Sequence, residues 1–119
     1  MTEKTESLDF LNELYDTLRE RKKNGDPEKS YSAKLFSKGT EKIAQKVGEE
    51  AVEIVISAIK GHRKEVISES ADFFYHVLAL WVDMGVRPKE VVEKLKERKG
   101  VSGLDEKASR KKKNSKKVD

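Results

Sequence analysis

An all-α fold follows from three features of the 119-residue sequence. Apolar residues recur every three or four positions over long stretches, the repeat of an amphipathic helix. No stretch carries the period-two alternation of β-branched and aromatic residues that marks a half-buried strand, and only 7% of the chain is aromatic. Glycine and proline fall between the periodic stretches, where a helical bundle needs its turns. The length suits one compact domain. With 35% hydrophobic and 40% charged residues, its core has to be small.

The elements follow in order. Residues 5–23 form a first helix, with Leu8, Leu11, Leu14 or Tyr15, and Leu18 at helical spacing. The stretch "NGDPEKS" (Asn24–Ser30) breaks that pattern through Gly25 and Pro27. Tyr31–Ser37 is a short helix closed by Gly39, and Thr40 is the expected N-cap of a long helix running to about Lys60. Gly61 suits the C′ position, and a tight turn leads into a second long helix from about Arg63 to Met84, ending near Gly85. Pro88 opens a last helix over 88–99, with Val91, Val92 and Leu95 as its apolar face. The short turn makes the two long helices antiparallel neighbours in a bundle.

The net charge of +4 belongs to the C-terminal end. Residues 110–119, "RKKKNSKKVD", carry six Lys or Arg against one Asp, so residues 1–109 sum to −1. The expected organisation is a domain over 1–109 and a disordered basic tail over 110–119. No aromatic is interleaved in that tail to stack on a base, so no nucleic-acid partner is expected. The chain has no cysteine, which excludes disulfides, thiolate metal sites and a cysteine nucleophile and fits a reducing compartment. It has no 18-residue apolar run, and "MTEKTESLDF" lacks the apolar stretch of a signal peptide. The expectation is a soluble cytoplasmic protein with no membrane partner.

Chemistry enters with "KVGEEAVEIV" (Lys46–Val55), where Glu49, Glu50 and Glu53 interrupt the most apolar helix. On a wheel at about 100° per residue, Ile43, Val47, Ala51, Ile54 and Ala58 form one apolar face, and Val52, Ile56 and Ile59 a second. The three acids fill an arc between these faces, with Lys42 and Lys46 in the same arc. A helix apolar on two sides is packed on two sides. The next helix is apolar around most of its circumference but keeps a narrow polar stripe, Glu65, Glu69, Asp72, His76 and Asp83. The hairpin then sets Glu50 and Glu53 opposite Glu69 and Asp72. Two carboxylates about 5 Å apart repel by roughly 3 kcal/mol at an effective dielectric near 20. Several such pairs would take up much of the roughly 5–15 kcal/mol that stabilises a small domain. A hard divalent cation relieves this best, and ligation by oxygen alone points to Mg²⁺, with Mn²⁺ as the alternative. Mg²⁺ held by a few carboxylates takes phosphate as a further ligand, and Lys42 and Lys46 suit that phosphate. The competing reading of any one glutamate is a surface acid paired with a lysine one turn away.

Glu49-Glu50-Ala51-Val52-Glu53, fifteen intervening residues, then Glu69-Ser70-Ala71-Asp72 resembles the EExxE…ExxD motif of the all-α, MazG-like nucleotide pyrophosphohydrolases. Within that superfamily, "SYSAKLFSKGTEKIAQKVGEEAVEIVISA" (Ser30–Ala58), "ESADFFYHVLAL" (Glu69–Leu80) and "VSGLDEKASRK" (Val101–Lys111) resemble the phosphoribosyl-ATP pyrophosphohydrolases. The likeness runs from about Leu8 to Lys111. It implies Mg²⁺-assisted hydrolysis of 1-(5-phosphoribosyl)-ATP to phosphoribosyl-AMP and pyrophosphate, the second step of histidine biosynthesis. It also implies a bundle of MazG-like type completed by homodimerisation. The next enzyme, phosphoribosyl-AMP cyclohydrolase, uses cysteines, so that step is expected to belong to a separate protein. The resemblance makes Glu50, Glu53, Glu69 and Asp72 the metal ligands. Glu49 then binds a second metal or positions the attacking water, and Glu49 and Glu50 are the catalytic pair. Lys46, Lys42, Lys38 and Lys34 are candidate phosphate contacts. His76 either touches substrate, orients a carboxylate or is structural. Trp81 and Phe74 are expected in the core. Ser30 and Tyr31 either reach the ribose phosphate or cap the short helix.

Two rival readings stand beside this one. The acidic motif alone equally suits a house-cleaning NTP or dUTP pyrophosphohydrolase. A non-enzymatic helical binding module that uses the basic tail leaves the acidic seam unexplained.

Overall fold

The computed structural model describes residues 3–99 of the chain, with side chains from Asp9 onward. The described residues form five helices: α1 (Glu3–Asn24), α2 (Tyr31–Ser37), α3 (Thr40–Ile59), α4 (Arg63–Met84) and α5 (Pro88–Arg98). No strand occurs among them, and no helix among them is long and apolar enough to cross a membrane. The chain divides into two compact units, 1–88 and 89–119. The basic tail, the domain boundary at residue 109 and the "VSGLDEKASRK" stretch lie outside the described residues.

In the first unit α3 and α4 pack most extensively on each other, as a hairpin joined at Gly61 and His62. The core draws Tyr15 and Leu18 from α1, Leu35 and Phe36 from α2, Ile43 from α3, and Leu78, Ala79 and Val82 from α4. Leu14, Tyr75, Leu80 and Trp81 pack around it. All the buried residues of α4 lie in its second half. Ile67, in its first half, and Phe74, at its middle, are exposed.

Gly25 lets α2 approach the end of α1. A Cβ there would lie 2.5 Å from the Arg21 carbonyl oxygen and 2.9 Å from Ala33 Cβ, both too close to tolerate. Ser30 then starts α2 as its N-cap, its Oγ accepting from the Ala33 N–H at 3.2 Å.

Three expectations are corrected. Thr40 is the first residue of α3, and Gly39 is its N-cap. The chain reverses at φ 92° there, a conformation that favours glycine. The Thr40 hydroxyl donates instead to Asp83 Oδ2, while Lys22 Nζ reaches Asp83 Oδ1 at 3.5 Å. The inward row of α3 ends on buried Ser57, whereas Ala58 is exposed. Steps of three and four residues carry that row through Ile43, Val47, Glu50, Ile54 and Ser57. Phe74 is half exposed instead of in the core, because nothing in the first unit covers that face of α4.

Taken by itself, α5 opens at Pro88 and carries a Lys94–Glu97 ion pair at 2.9 Å. Val91 is half-buried, and Val92 and Leu95 are exposed.

Candidate active site

The inward row of α3 explains where its acids go. Glu50 occupies a position between Val47 and Ile54 that an apolar residue would normally fill, and it is half-buried. Glu49 and Glu53, to either side of that row, are exposed. On α4, half-buried Glu69 shares an inward row with Phe73, His76 and Leu80. Asp72 stands beside this row and is exposed.

Adjacent carboxyls on α3 are driven in opposite directions. Burial pushes the Glu50 carboxyl above its ordinary value, helped by a hydrogen bond with Glu53 that needs a proton and by the charges of Glu53 and Asp72. His76 works against that rise. Carboxyls from both helices, and an imidazole, thus surround one group. Glu49 is held below the ordinary value, chiefly because Gln45 Nε2 donates to its Oε2 at 2.8 Å. Lys46 and Lys42 add positive charge, and Lys46 Nζ lies 3.6 Å from Glu49 Oε1. Glu49 therefore holds a proton less tightly than an ordinary carboxyl, beside two lysines, and Glu50 more tightly. Such divergence between neighbouring acids is a mark of functional sites.

His76 is buried, and both of its nitrogens are engaged. Nδ1 lies 2.8 Å from the Asp72 carbonyl oxygen, which can only accept, so Nδ1 carries the proton. In the neutral ring Nε2 is then an acceptor, and the Tyr31 hydroxyl donates to it at 3.0 Å. In this arrangement the imidazole orients α2 against α4 beside Asp72.

Two observations bear on a metal. Glu50 Oε2 and Glu69 Oε1 are buried with no hydrogen-bond partner. A cation would satisfy such unpartnered oxygens, and the donor set is all oxygen, as Mg²⁺ prefers. Among the described residues, however, no three acidic or imidazole side chains are already gathered as a metal-holding group. Glu53 and Asp72 reach solvent, where uncompensated like charges relax away from one another.

The profile of the family described as phosphoribosyl-ATP pyrophosphohydrolase matches residues 11–99, three-quarters of the chain. The chain belongs to the phosphoribosyl-ATP pyrophosphohydrolase family. It is 54% identical to the phosphoribosyl-ATP pyrophosphatase of Azospirillum brasilense, over 93% of this chain and 99% of that one. It is also 54% identical to the enzyme of that name from Gluconobacter oxydans, over 84% of this chain and 74% of the relative. A third relative of that name, from Paramagnetospirillum magneticum, is 54% identical over 87% of this chain and 94% of its own.

For a member of this pyrophosphohydrolase family, the hairpin brings Glu50, Glu53, Asp72 and His76 into one electrostatic neighbourhood, with Lys42 and Lys46 beside Glu49. Lys34 and Lys38 stand apart on α2 and its C-cap, lining a groove with Ser30 and Tyr31. Sequence reasoning missed Gln45 as the donor that fixes Glu49, although its i,i+4 spacing was a usable signal. It also missed the Tyr31–His76 bond, which spans 45 residues and has no local signal.

Proposed function

We propose that the chain hydrolyses 1-(5-phosphoribosyl)-ATP to 1-(5-phosphoribosyl)-AMP and pyrophosphate, the second step of histidine biosynthesis. The observation that carries this reading is the family match over residues 11–99, which contains every acid of the seam. The bond broken is the α–β anhydride: water adds, pyrophosphate leaves, and the water's proton passes to a base.

We further propose that Glu50, Glu53, Glu69 and Asp72 hold the metal, with Mg²⁺ preferred and Mn²⁺ as a substitute. Support comes from the two orphaned oxygens, Glu50 Oε2 and Glu69 Oε1. Mg²⁺ there would neutralise charge on the phosphate oxygens and make water more acidic. The chain's own groups do the rest. Lys42 and Lys46 contact the anhydride phosphates. Glu49, hydrogen-bonded by Gln45, orients the attacking water and accepts its proton. Removal of residues 111–119 is expected to leave turnover within about tenfold of the full chain, since 1–109 is the proposed working domain.

A homodimer is the proposed assembly. α3 exposes Val52, Val55, Ile56 and Ile59, and α4 exposes Ile67 and Phe74. A second copy of the hairpin is a partner of matching character for so much apolar surface. Phosphoribosyl-AMP cyclohydrolase is proposed as a separate protein that takes the product, and the cytoplasm as the site of both steps. Pyrophosphate release from phosphoribosyl-ATP, dUTP and the common nucleoside triphosphates, each with Mg²⁺, tests the activity. Turnover confined to dUTP or the simple triphosphates would overturn it.

A further inference from the structure

The groove beside α2 has no part in the chemistry just described. It is an open space of about 550 Å³ lined by Pro27, Glu28, Lys29, Ser30, Tyr31, Lys34, Ser37 and Lys38. We propose that this groove is a phosphomonoester subsite, which holds the phosphate on the substrate's second ribose and so selects phosphoribosyl-ATP over an ordinary nucleoside triphosphate. The inference rests on the activity proposed above.

Charge is the first argument. Three lysines against one carboxylate, Glu28, leave the lining net cationic by two. Lys29, Lys34 and Lys38 are all exposed, and none has an ion-pair partner among the described residues. Lys34 and Lys38 are one helical turn apart, so their charges repel until an anion stands between them. Lys42 and Lys46, by contrast, already face Glu49 on α3. The molecule thus has two separate sets of cations.

The substrate is the second argument. Its triphosphate and its 5-phosphate lie on different riboses, at opposite sides of the adenine. One end suits the acidic seam with its metal and Lys42/Lys46. The other carries an isolated phosphomonoester, the ligand that three unpaired ammonium groups would recognise. Such a feature is absent from ATP and dUTP.

Connectivity is the third. Tyr31 lines the groove, and its hydroxyl holds His76, whose Nδ1 is bonded to the Asp72 carbonyl oxygen. One tyrosine and one imidazole therefore link the groove to the acid-bearing helix. Tyr31 is 55% exposed and belongs to the groove's lining, so its ring is open to a ligand there. Ser37 is no donor to the phosphate here, because its hydroxyl proton is committed to the Lys34 carbonyl oxygen at 2.6 Å. The lysines carry the recognition.

The test uses the full chain and two readouts. In EDTA, ribose 5-phosphate is titrated against ¹⁵N-labelled protein, with ribose as the uncharged control. Saturable shifts are expected at the amides of Lys29, Tyr31, Lys34 and Lys38 with ribose 5-phosphate only, and their loss in Lys34→Met/Lys38→Met. For that variant kcat/KM on phosphoribosyl-ATP should fall at least about thirtyfold, the scale of one or two charge-assisted hydrogen bonds, with the thermal midpoint unchanged. Shifts centred on Arg19 and Arg87, or on the acids of α3, would overturn the proposal. So would a variant whose kcat/KM stays within about twofold of the parent. A wild-type chain that binds ribose 5-phosphate in the groove but does not turn over phosphoribosyl-ATP would instead sink the activity and leave the anion site standing.

Discussion

Tyr31 and His76, 45 residues apart, meet through a 3.0 Å hydrogen bond between the phenol oxygen and Nε2, with the phenol as donor whenever Nδ1 alone carries the ring proton. Tyr31→Phe keeps the ring packing and leaves that buried nitrogen without a donor. A loss of about 1–3 kcal/mol is expected for an unsatisfied buried acceptor. For a domain of this size each kcal/mol lowers the midpoint by roughly 4–8 °C. An unchanged thermal midpoint would remove the bond from the account. Nitrogen-15 spectra of His76 showing the proton on Nε2 would reverse its direction.

Asp72→Asn separates the metal-site reading from a surface-acid reading. The change keeps shape and removes one charge and one ligating oxygen. Turnover should drop at least about a hundredfold, equivalent to roughly 2.7 kcal/mol of lost transition-state stabilisation. Without metal the variant should be no less stable than its parent, because Asp72 is one of the charges that burden Glu50. Mg²⁺ should raise the midpoint of the wild type through binding linkage, and raise that of the variant less. Full turnover in Asp72→Asn would end the metal assignment.

Glu50 gives the apo protein a pH signature. Its folded value is raised above the ordinary 4.5, so the native state holds that proton more tightly than the unfolded chain. The contribution to stability is complete below the ordinary value and is lost as pH rises through the folded one. Glu49 acts in the opposite sense, its contribution present above the ordinary value and lost as pH falls through its lowered one. Glu50→Gln in EDTA should flatten the decline in thermal midpoint on the neutral side of the ordinary carboxyl range. Parallel wild-type and variant curves across that range would be the contrary result.

Ile56→Glu addresses the proposed dimer. Ile56 is 47% exposed in the single chain, amid Val52, Val55 and Ile59. A carboxylate there would be desolvated in any interface built on that row. Sedimentation velocity should find the wild type as a dimer at micromolar concentration and the variant as a monomer or unfolded. A wild type that is active and monomeric would rule the assembly out.

The helices were legible because glycine and proline punctuate them at Gly39, Gly61, Gly85 and Pro88, leaving little freedom in where each stops. The acidic seam was legible too, since a 3.6-residue repeat fixes which side chains share a face. What the repeat does not fix is how deep each face lies. Glu50 and Glu53 share an arc on the wheel, yet one is half-buried and the other exposed. Ser57 takes the place expected of Ala58 in the core, one position along the same helix. Phe74 reads as a core residue by type, but about half of it stays exposed. Contacts that cross the fold, such as Thr40 with Asp83 and Tyr31 with His76, have no periodic trace at all.

The Thr40–Asp83 bond also decides how the hairpin breathes. α3 and α4 are joined covalently through Gly61 at one end, and at the other the first residue of α3 is tied to the next-to-last residue of α4, with Lys22 of α1 drawn into the same knot. A hairpin fastened at both ends cannot fray from either. Amide protons near Glu50 and Asp72 should be among the slowest of the described residues to exchange with solvent. The proposed ligand positions at mid-span therefore sit where the hairpin is fastened on both sides.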